Sequence, residues 1–309
     1  MPGVMGGFRG EAGPMSSPPE GATAARSEAE RVPPETDGEG RHPQSGYPAA
    51  RAVPGERQSP SDSSEGAVRF EGVVKAFGGH VVLRGLDLEV PRGMTVTVMG
   101  GSGSGKTVML RLTAGLLRPE HGRIRVLGVD VSALREEALL PIRRRMGFVF
   151  QGAALFDSLT TYENVAYPLR EHARLREAEV AARVHAMLEL VGLRDVDGKL
   201  PAELSGGMRK RVGIARALVL EPELVLYDEP TAGLDPTNAR LITELVEGFR
   251  ARRVSETSMI ATHDLDFARA VSDLIAILID GRIAQIGPPD AVFQSRQPDV
   301  QAFLGGGLR

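Results

Sequence analysis

A chain of 309 residues has room for one large or two ordinary domains. With 42% hydrophobic and 25% charged residues its composition is that of a soluble globular protein, and a net charge of −3 gives no global basic field for nucleic acid. The absence of cysteine excludes disulfides, thiol catalysis and cysteine-ligated metals.

Residues 1–66 are crowded with Pro, Gly, Ser, Glu and Arg and hold few large apolar side chains. Such a segment cannot bury enough surface to offset its ordering entropy, which predicts a disordered tail. No basic-then-apolar secretory start opens the chain. Patterned segments begin near Val68. Val68–Val74 and Val81–Val90 read as paired strands about the turn Gly78-Gly79, feeding an apolar strand at Met94–Met99. A helix is predicted from Gly105 to about Leu117, a strand at Ile124–Leu127, a helix at Val131–Arg145 and a buried strand at Met146–Phe150. From Thr161 to Val191, Val165, Leu169, Val180, Val184, Leu188 and Val191 recur at helical intervals. Another helix opens after Gly207, and Leu224–Tyr227 reads as a fully buried strand. A helix at Thr237–Arg252 and strands at Ser258–Thr262, Leu274–Ile279 and Arg282–Ile286 follow. The longest apolar run, Leu274–Ile279, is far short of the roughly 20 residues that span a bilayer. The expectation is a cytoplasmic protein whose membrane role, if any, comes through a partner. Strands alternating with helices predict an α/β fold around a mainly parallel sheet, with an inserted helical subdomain at about 152–207. Internal repeats are absent, so one unit over 67–309 is expected.

Two motifs carry the chemistry. Gly100-Gly101-Ser102-Gly103-Ser104-Gly105-Lys106-Thr107 is a G-x-x-x-x-G-K-T phosphate loop, with a strand before it and the helix from Gly105 after it, and Val108 directly behind the motif is counted with it as a nucleotide-binding candidate. From average residue frequencies such a motif arises by chance in roughly one chain per hundred of this length. Its glycines let backbone N–H groups turn toward phosphate oxygens, and the helix adds its positive dipole end. Lys106 offers a point charge to the terminal phosphates and Thr107 a hydroxyl to magnesium. The second motif, Leu224-Val225-Leu226-Tyr227-Asp228-Glu229, is an apolar strand that delivers two acids at its end. Asp228 falls near magnesium, and Glu229 can polarise an attacking water as general base. Two acids rather than one point to hydrolysis.

With these motifs in order, the chain from Val68 to about Leu304 resembles the ATP-binding cassette (ABC) ATPases of membrane transporters. The resemblance implies a P-loop fold with a mainly parallel core sheet, an antiparallel β subdomain and the inserted helical subdomain, and it implies ATP and Mg2+ as cofactors. Gln151 matches the glutamine that contacts magnesium and water and senses the permease. Leu204-Ser205-Gly206-Gly207-Met208 matches the signature, in which Ser205, Gly206, Gly207 and the helix N-terminus grip the γ-phosphate of ATP held by a second copy. Leu234-Asp235 resembles the loop that crosses this dimer interface, His263 the histidine that orients the γ-phosphate and water, and Phe77 the aromatic that stacks on adenine. Met208 stands where the signature usually has glutamine. The segments LSGGMRKR (Leu204–Arg211), FQGAALF (Phe150–Phe156) and ENVAYPLR (Glu163–Arg170) resemble a narrower group, the ATPases of Mla-type phospholipid transport. That group implies a transmembrane permease, an MCE-domain lipid-binding protein and a STAS-domain regulator as partners, and no nucleic acid. It also places the protein on the cytoplasmic face of the inner membrane. An importer ATPase for a small polar solute such as an amino acid would carry the same catalytic residues. A soluble cassette protein acting on DNA or ribosomes is disfavoured, because neither a long coiled coil nor a second cassette is present.

Overall fold

The computed structural model describes residues 66–252, 254 and 257–306; the tail expected over 1–66 lies, except for Gly66, outside the described residues. Two sheets organise the chain. Strands β1 (Val68–Phe77), β2 (His80–Val90), β4 (His121–Val126) and β5 (Val129–Asp130) form an antiparallel sheet of order β2-β1-β4-β5. The larger sheet runs β10-β9-β3-β8-β7-β6, from β3 (Thr95–Met99), β6 (Met146–Val149), β7 (Leu224–Asp228), β8 (Thr257–Thr262), β9 (Leu274–Ile279) and β10 (Arg282–Gly287). Every pairing in it is parallel except β9 with β10. Both sheets match the sequence expectation.

The parallel strands are buried on both faces, and successive side chains alternate between two cores. Leu224, Leu226, Met259 and Ala261 pack with the antiparallel sheet and α1 (Lys106–Thr113), while Val225, Tyr227 and Ile260 pack with the helices opposite. Those helices are α3 (Thr161–His172), α4 (Glu177–Leu190), α5 (Gly206–Leu218) and α6 (Pro236–Ala251). A third cluster at β9 gathers α7 (Leu265–Val271), α8 (Pro289–Phe293) and α9 (Pro298–Gly306) through Ala268, Val292 and Val300.

Several boundaries differ from the sequence reading. Helix α1 stops at Thr113, not near Leu117, because Gly115 turns left-handed (φ 66°) and a Schellman pair closes the end. Its bonds are Leu116 N–H to the Arg111 carbonyl (2.8 Å) and Gly115 N–H to that of Leu112 (3.0 Å). The helix expected at Val131–Arg145 is α2 (Glu136–Arg143) alone. Val131 and Ser132 are held at the sheet edge instead, where Ile124 exchanges bonds with the Val131 N–H and the Ser132 hydroxyl. The helical stretch from Thr161 breaks into α3 and α4. Each has its own start, with Glu163 bonding Thr160 N–H and Glu179 bonding Arg176 N–H.

Candidate active site

The parallel strands β3, β8, β7 and β6 end at one edge of the sheet, and each hands over to a segment singled out in the sequence. β3 leads into Gly100–Thr107, β8 into His263, β7 into Asp228-Glu229 and β6 into Gln151. The registers Met99 with Thr262, Asp228 with Ala261 and Val149 with Tyr227 bring these ends level. Such an edge, at the carboxyl ends of parallel strands, is where α/β sheets bind ligands. Here it frames a cavity of about 690 Å³ walled by Gly100–Gly103, Lys106, Thr107, Gln151, Glu229 and His263. Ala302 and Phe303 of α9 form the remaining wall with Leu265.

The loop is shaped for an anion. Gly105 sits at φ 110°, and a Cβ there would lie 2.9 Å from Leu83 Cδ2, so neither the conformation nor the space admits a side chain. No side chain caps α1 and no acid occupies its first turn, which leaves N–H donors and a favourable dipole for phosphate. The Ser104 hydroxyl is buried with no partner among the described residues, a donor that a phosphate oxygen would satisfy. Lys106 is buried, donating to the carbonyls of Gly100 (2.8 Å) and Gly101 (3.1 Å), with Nζ 3.6 Å from Glu229 Oε1. Val108, next along α1, packs half-buried against the first core.

The two acids are held differently. The Thr107 hydroxyl donates to Asp228 Oδ1 at 2.8 Å. Burial pushes the Asp228 carboxyl above its ordinary value, against that hydrogen bond, and the Glu229 charge adds to the rise. A cation beside Asp228 would relieve this cost. Among the described residues no cluster of three or more His, Cys, Asp or Glu could hold a metal. Mg2+ needs none, since it is bound through one or two carboxylates, waters and substrate phosphates. Thr107, Asp228 and Gln151 fit that requirement.

Glu229 adopts φ 47° just before Pro230, a left-handed conformation that costs a non-glycine residue about 1–3 kcal/mol. Its backbone is fixed on both sides. The N–H donates to Ala261 O (2.8 Å), and the carbonyl accepts from Ala232 N–H (3.2 Å) and Lys210 Nζ (3.0 Å). Its buried carboxylate accepts from the Thr262 hydroxyl at 3.2 Å and lies 2.9 Å from Nδ1 of the largely exposed His263. A carboxylate and an imidazole thus share the cavity with a lysine and a row of N–H donors. That combination can bind a polyphosphate and deprotonate a water beside it.

Ser205, Gly206, Gly207 and Asp235 do not line this cavity; elsewhere, Asn238 stands between Gly207 and Asp235. Ser205 caps α5, accepting from Met208 N–H (3.2 Å), and Asp235 caps α6, accepting from Asn238 N–H (3.0 Å). The Asn238 amide also donates to Asp235 (2.6 Å) and lies against Gly207, where a Cβ would stand 2.2 Å from Asn238 Oδ1. Gly207→Ala is therefore expected to cost about 1–3 kcal/mol through overpacking. Thermal unfolding checks this, and an unchanged melting temperature would show that Asn238 turns aside freely. Phe77 ends β1, exposed, with Lys75 Nζ 5.0 Å from its ring centre, and it does not line the cavity. Thr262, Asn238 and Lys210 were not singled out by the sequence, yet all three touch residues that were.

Beyond Gln151, Ala153 and Ala154 both have positive φ (62° and 48°). Arg216 donates to Ala153 O (3.0 Å), and the Asn164 side chain bonds both backbone groups of Phe156, at 2.9 and 3.1 Å. The rings of Phe156 and Tyr167, 5.1 Å apart, are left exposed beside this loop.

Residues 83–232 match the ABC transporter family. The chain is 40% identical over 240 residues to "Probable ribonucleotide transport ATP-binding protein mkl" of Mycobacterium leprae, covering 78% of this chain and 69% of that one. The chain belongs to the ABC transporter ATPases. A methionine import ATP-binding protein, MetN of Rhizobium johnstonii, is 40% identical to this ABC ATPase over 82% of its length and 70% of MetN. MlaF of Haemophilus influenzae, an intermembrane phospholipid transport system ATP-binding protein, is 38% identical over 74% of this chain and 86% of MlaF. The ABC cassette MJ0796, solved as a post-hydrolysis dimer with ADP and Pi, superposes with a TM-score of 0.67 at 32% identity, covering 72% of this chain and 98% of that one. As an ABC ATPase the chain binds and hydrolyses ATP as a transporter subunit. No helix among its described residues is long and apolar enough to cross a membrane.

Proposed function

We propose that this ABC ATPase energises phospholipid transport between membranes, acting through a permease and an MCE-domain lipid-binding protein. The signature carries this reading, with methionine at 208 inside LSGGMRKR. Met208 packs half-buried against the second core, so it supplies apolar contact where a glutamine would offer an amide. The segments FQGAALF and ENVAYPLR and the relation to MlaF support it. The similarity to MetN and mkl favours a second reading, import of a small polar solute. Affinity purification from native membranes separates the two. An MCE-domain protein among the co-purifying subunits is expected, and a solute-binding protein in its place would sink the lipid reading.

Two copies would close head to tail. The separation of Ser205–Gly207 and Asp235 from the cavity of their own chain supports a site shared between copies, as does the dimeric form of MJ0796. Ser205, Gly206, Gly207 and the α5 N-terminus would then face the γ-phosphate on the partner, and Asp235 would cross the interface. Within the cavity, Lys106 and the N–H groups of Gly100–Thr107 bind the phosphates, and Phe77, exposed outside it at the end of β1, takes the adenine. Glu229 accepts the proton of the attacking water while His263 orients water and γ-phosphate. Thr107, Gln151 and Asp228 would hold Mg2+, which supplies charge neutralisation on the phosphates. Hydrolysis removes the γ-phosphate that favours the closed pair, so the dimer reopens.

Phe156 and Tyr167 would receive a cytoplasmic helix of the permease, holding the ATPase on the cytoplasmic face of the inner membrane. A STAS-domain regulator would sit on α3 and α4. Phe156→Asp is expected to weaken permease association by about 2 kcal/mol or more, roughly thirtyfold, with ATP affinity unchanged. A pull-down of permease at graded protein concentration checks it, and full retention would move the docking surface elsewhere.

A further inference from the structure

Lys210 lies one turn into α5, on the face that Gly207 and Ile214 also bury, and it is only 8% exposed. Its Nζ donates to the carbonyl of Glu229 at 3.0 Å. Burial lowers the affinity of this amine for its proton, with the Glu229 and Asp228 charges pulling the other way. A methionine would fill the same space without desolvating a charge, so packing alone does not account for a lysine here. What the lysine touches is the strained left-handed residue at the head of the cavity. Ala261 and Ala232 hold the Glu229 backbone from β8 and from the following turn. Lys210 holds it from the signature helix.

We propose that Lys210 is a positioning residue for hydrolysis: by fixing the Glu229 carbonyl it sets the direction of the Glu229 carboxylate and ties that acid to the signature helix. The inference rests on reading Glu229 as the general base. It also gives the two ends of the ATP chemistry a mechanical link within one chain. The α5 N-terminus, which would meet the partner's nucleotide, begins one turn from the side chain that holds this chain's own acid.

The test uses the full chain with Lys210→Met, Lys210→Gln and Glu229→Gln. Single-turnover hydrolysis of ATP with Mg2+ gives the chemical rate, a fluorescent ATP analogue gives affinity, and thermal unfolding gives stability. Lys210→Met is expected to slow hydrolysis by about tenfold or more, with affinity kept within about twofold. Its melting temperature should be unchanged or higher, since a buried charge is gone. Lys210→Gln, whose amide can still donate to the carbonyl, is expected to recover much of the rate. A Lys210→Met rate near the parent's overturns the proposal. So does a Lys210→Gln protein as slow as Lys210→Met, or a Lys210→Met protein that fails to fold, either of which makes the lysine structural. Glu229→Gln separates this failure from that of the underlying reading. Rapid hydrolysis by Glu229→Gln removes Glu229 as the base, whereas a slow Glu229→Gln beside a fast Lys210→Met removes only the role of the lysine.

Discussion

Glu229→Gln is expected to slow ATP hydrolysis by about 10²- to 10⁴-fold while leaving ATP bound, the range over which a positioned general base acts. The substitution is isosteric, and the amide oxygen can still accept from the Thr262 hydroxyl, so the left-handed turn before Pro230 should persist. What disappears is the ability to take a proton from water. A negative charge also leaves the vicinity of the phosphates, which favours nucleotide binding. Binding without turnover should trap the closed arrangement, so a dimer is expected to accumulate on size exclusion with ATP and not with ADP. Retained steady-state hydrolysis would remove Glu229 as the base, and a variant that stays monomeric with ATP would undercut the shared site.

The chemistry of this chain was legible in sequence because its parts lie where local signals are strongest. A parallel strand buried on both faces reads as a continuous apolar run, and β7 was visible as Leu224–Tyr227 with the acids immediately behind it. The phosphate loop carries its own punctuation in glycine. The alternation that assigns Val225 to one core and Leu226 to the other was not visible, since both are apolar and only the sheet's two coverings tell them apart. Helix ends failed where tertiary bonds overrode periodicity, as at Ser132, which is drawn to the sheet edge by Ile124. The short helices α7, α8 and α9 were unread, though Asp264 caps α7 by accepting from Phe267 N–H at 3.0 Å.

Thr262 and Asn238 had no local mark, because their importance arises only when β8 lies beside β7 and α6 beside α5. Lys210 is different. It falls three residues after Gly207 and four before Ile214, so a charge on an apolar stripe was there to be noticed. Cargo is illegible for another reason. Relatives named for ribonucleotide, methionine and phospholipid transport are all near 40% identical to this chain, so sequence likeness over the cassette does not separate what they carry. On the proposed reading, selectivity for cargo would rest with the partners that meet this chain at Phe156 and Tyr167.

Lys106→Ala is expected to weaken ATP binding by between about tenfold and about 150-fold, since a hydrogen bond to a charged group contributes about 1.5–3 kcal/mol. The lower part of that range is favoured by the geometry. Nζ donates to the carbonyls of Gly100 and Gly101, so phosphate contacts would replace bonds the ammonium already makes rather than add to none. Removing the lysine also leaves those carbonyls without that donor and takes the ammonium away from Glu229 Oε1, 3.6 Å off, so part of the loss should appear without nucleotide. Thermal unfolding with and without ATP divides the effect. The variant should melt lower than the parent alone, and the rise in melting temperature on adding ATP should shrink further, because a ligand stabilises by RT ln(1 + [L]/Kd). Comparing nucleotides then locates the contact. A larger loss for ATP than for ADP places Nζ on the γ-phosphate, and an equal loss places it on the β-phosphate. Unchanged affinity for both would mean that the loop N–H groups hold the phosphates unaided and that Lys106 serves the loop and Glu229 alone.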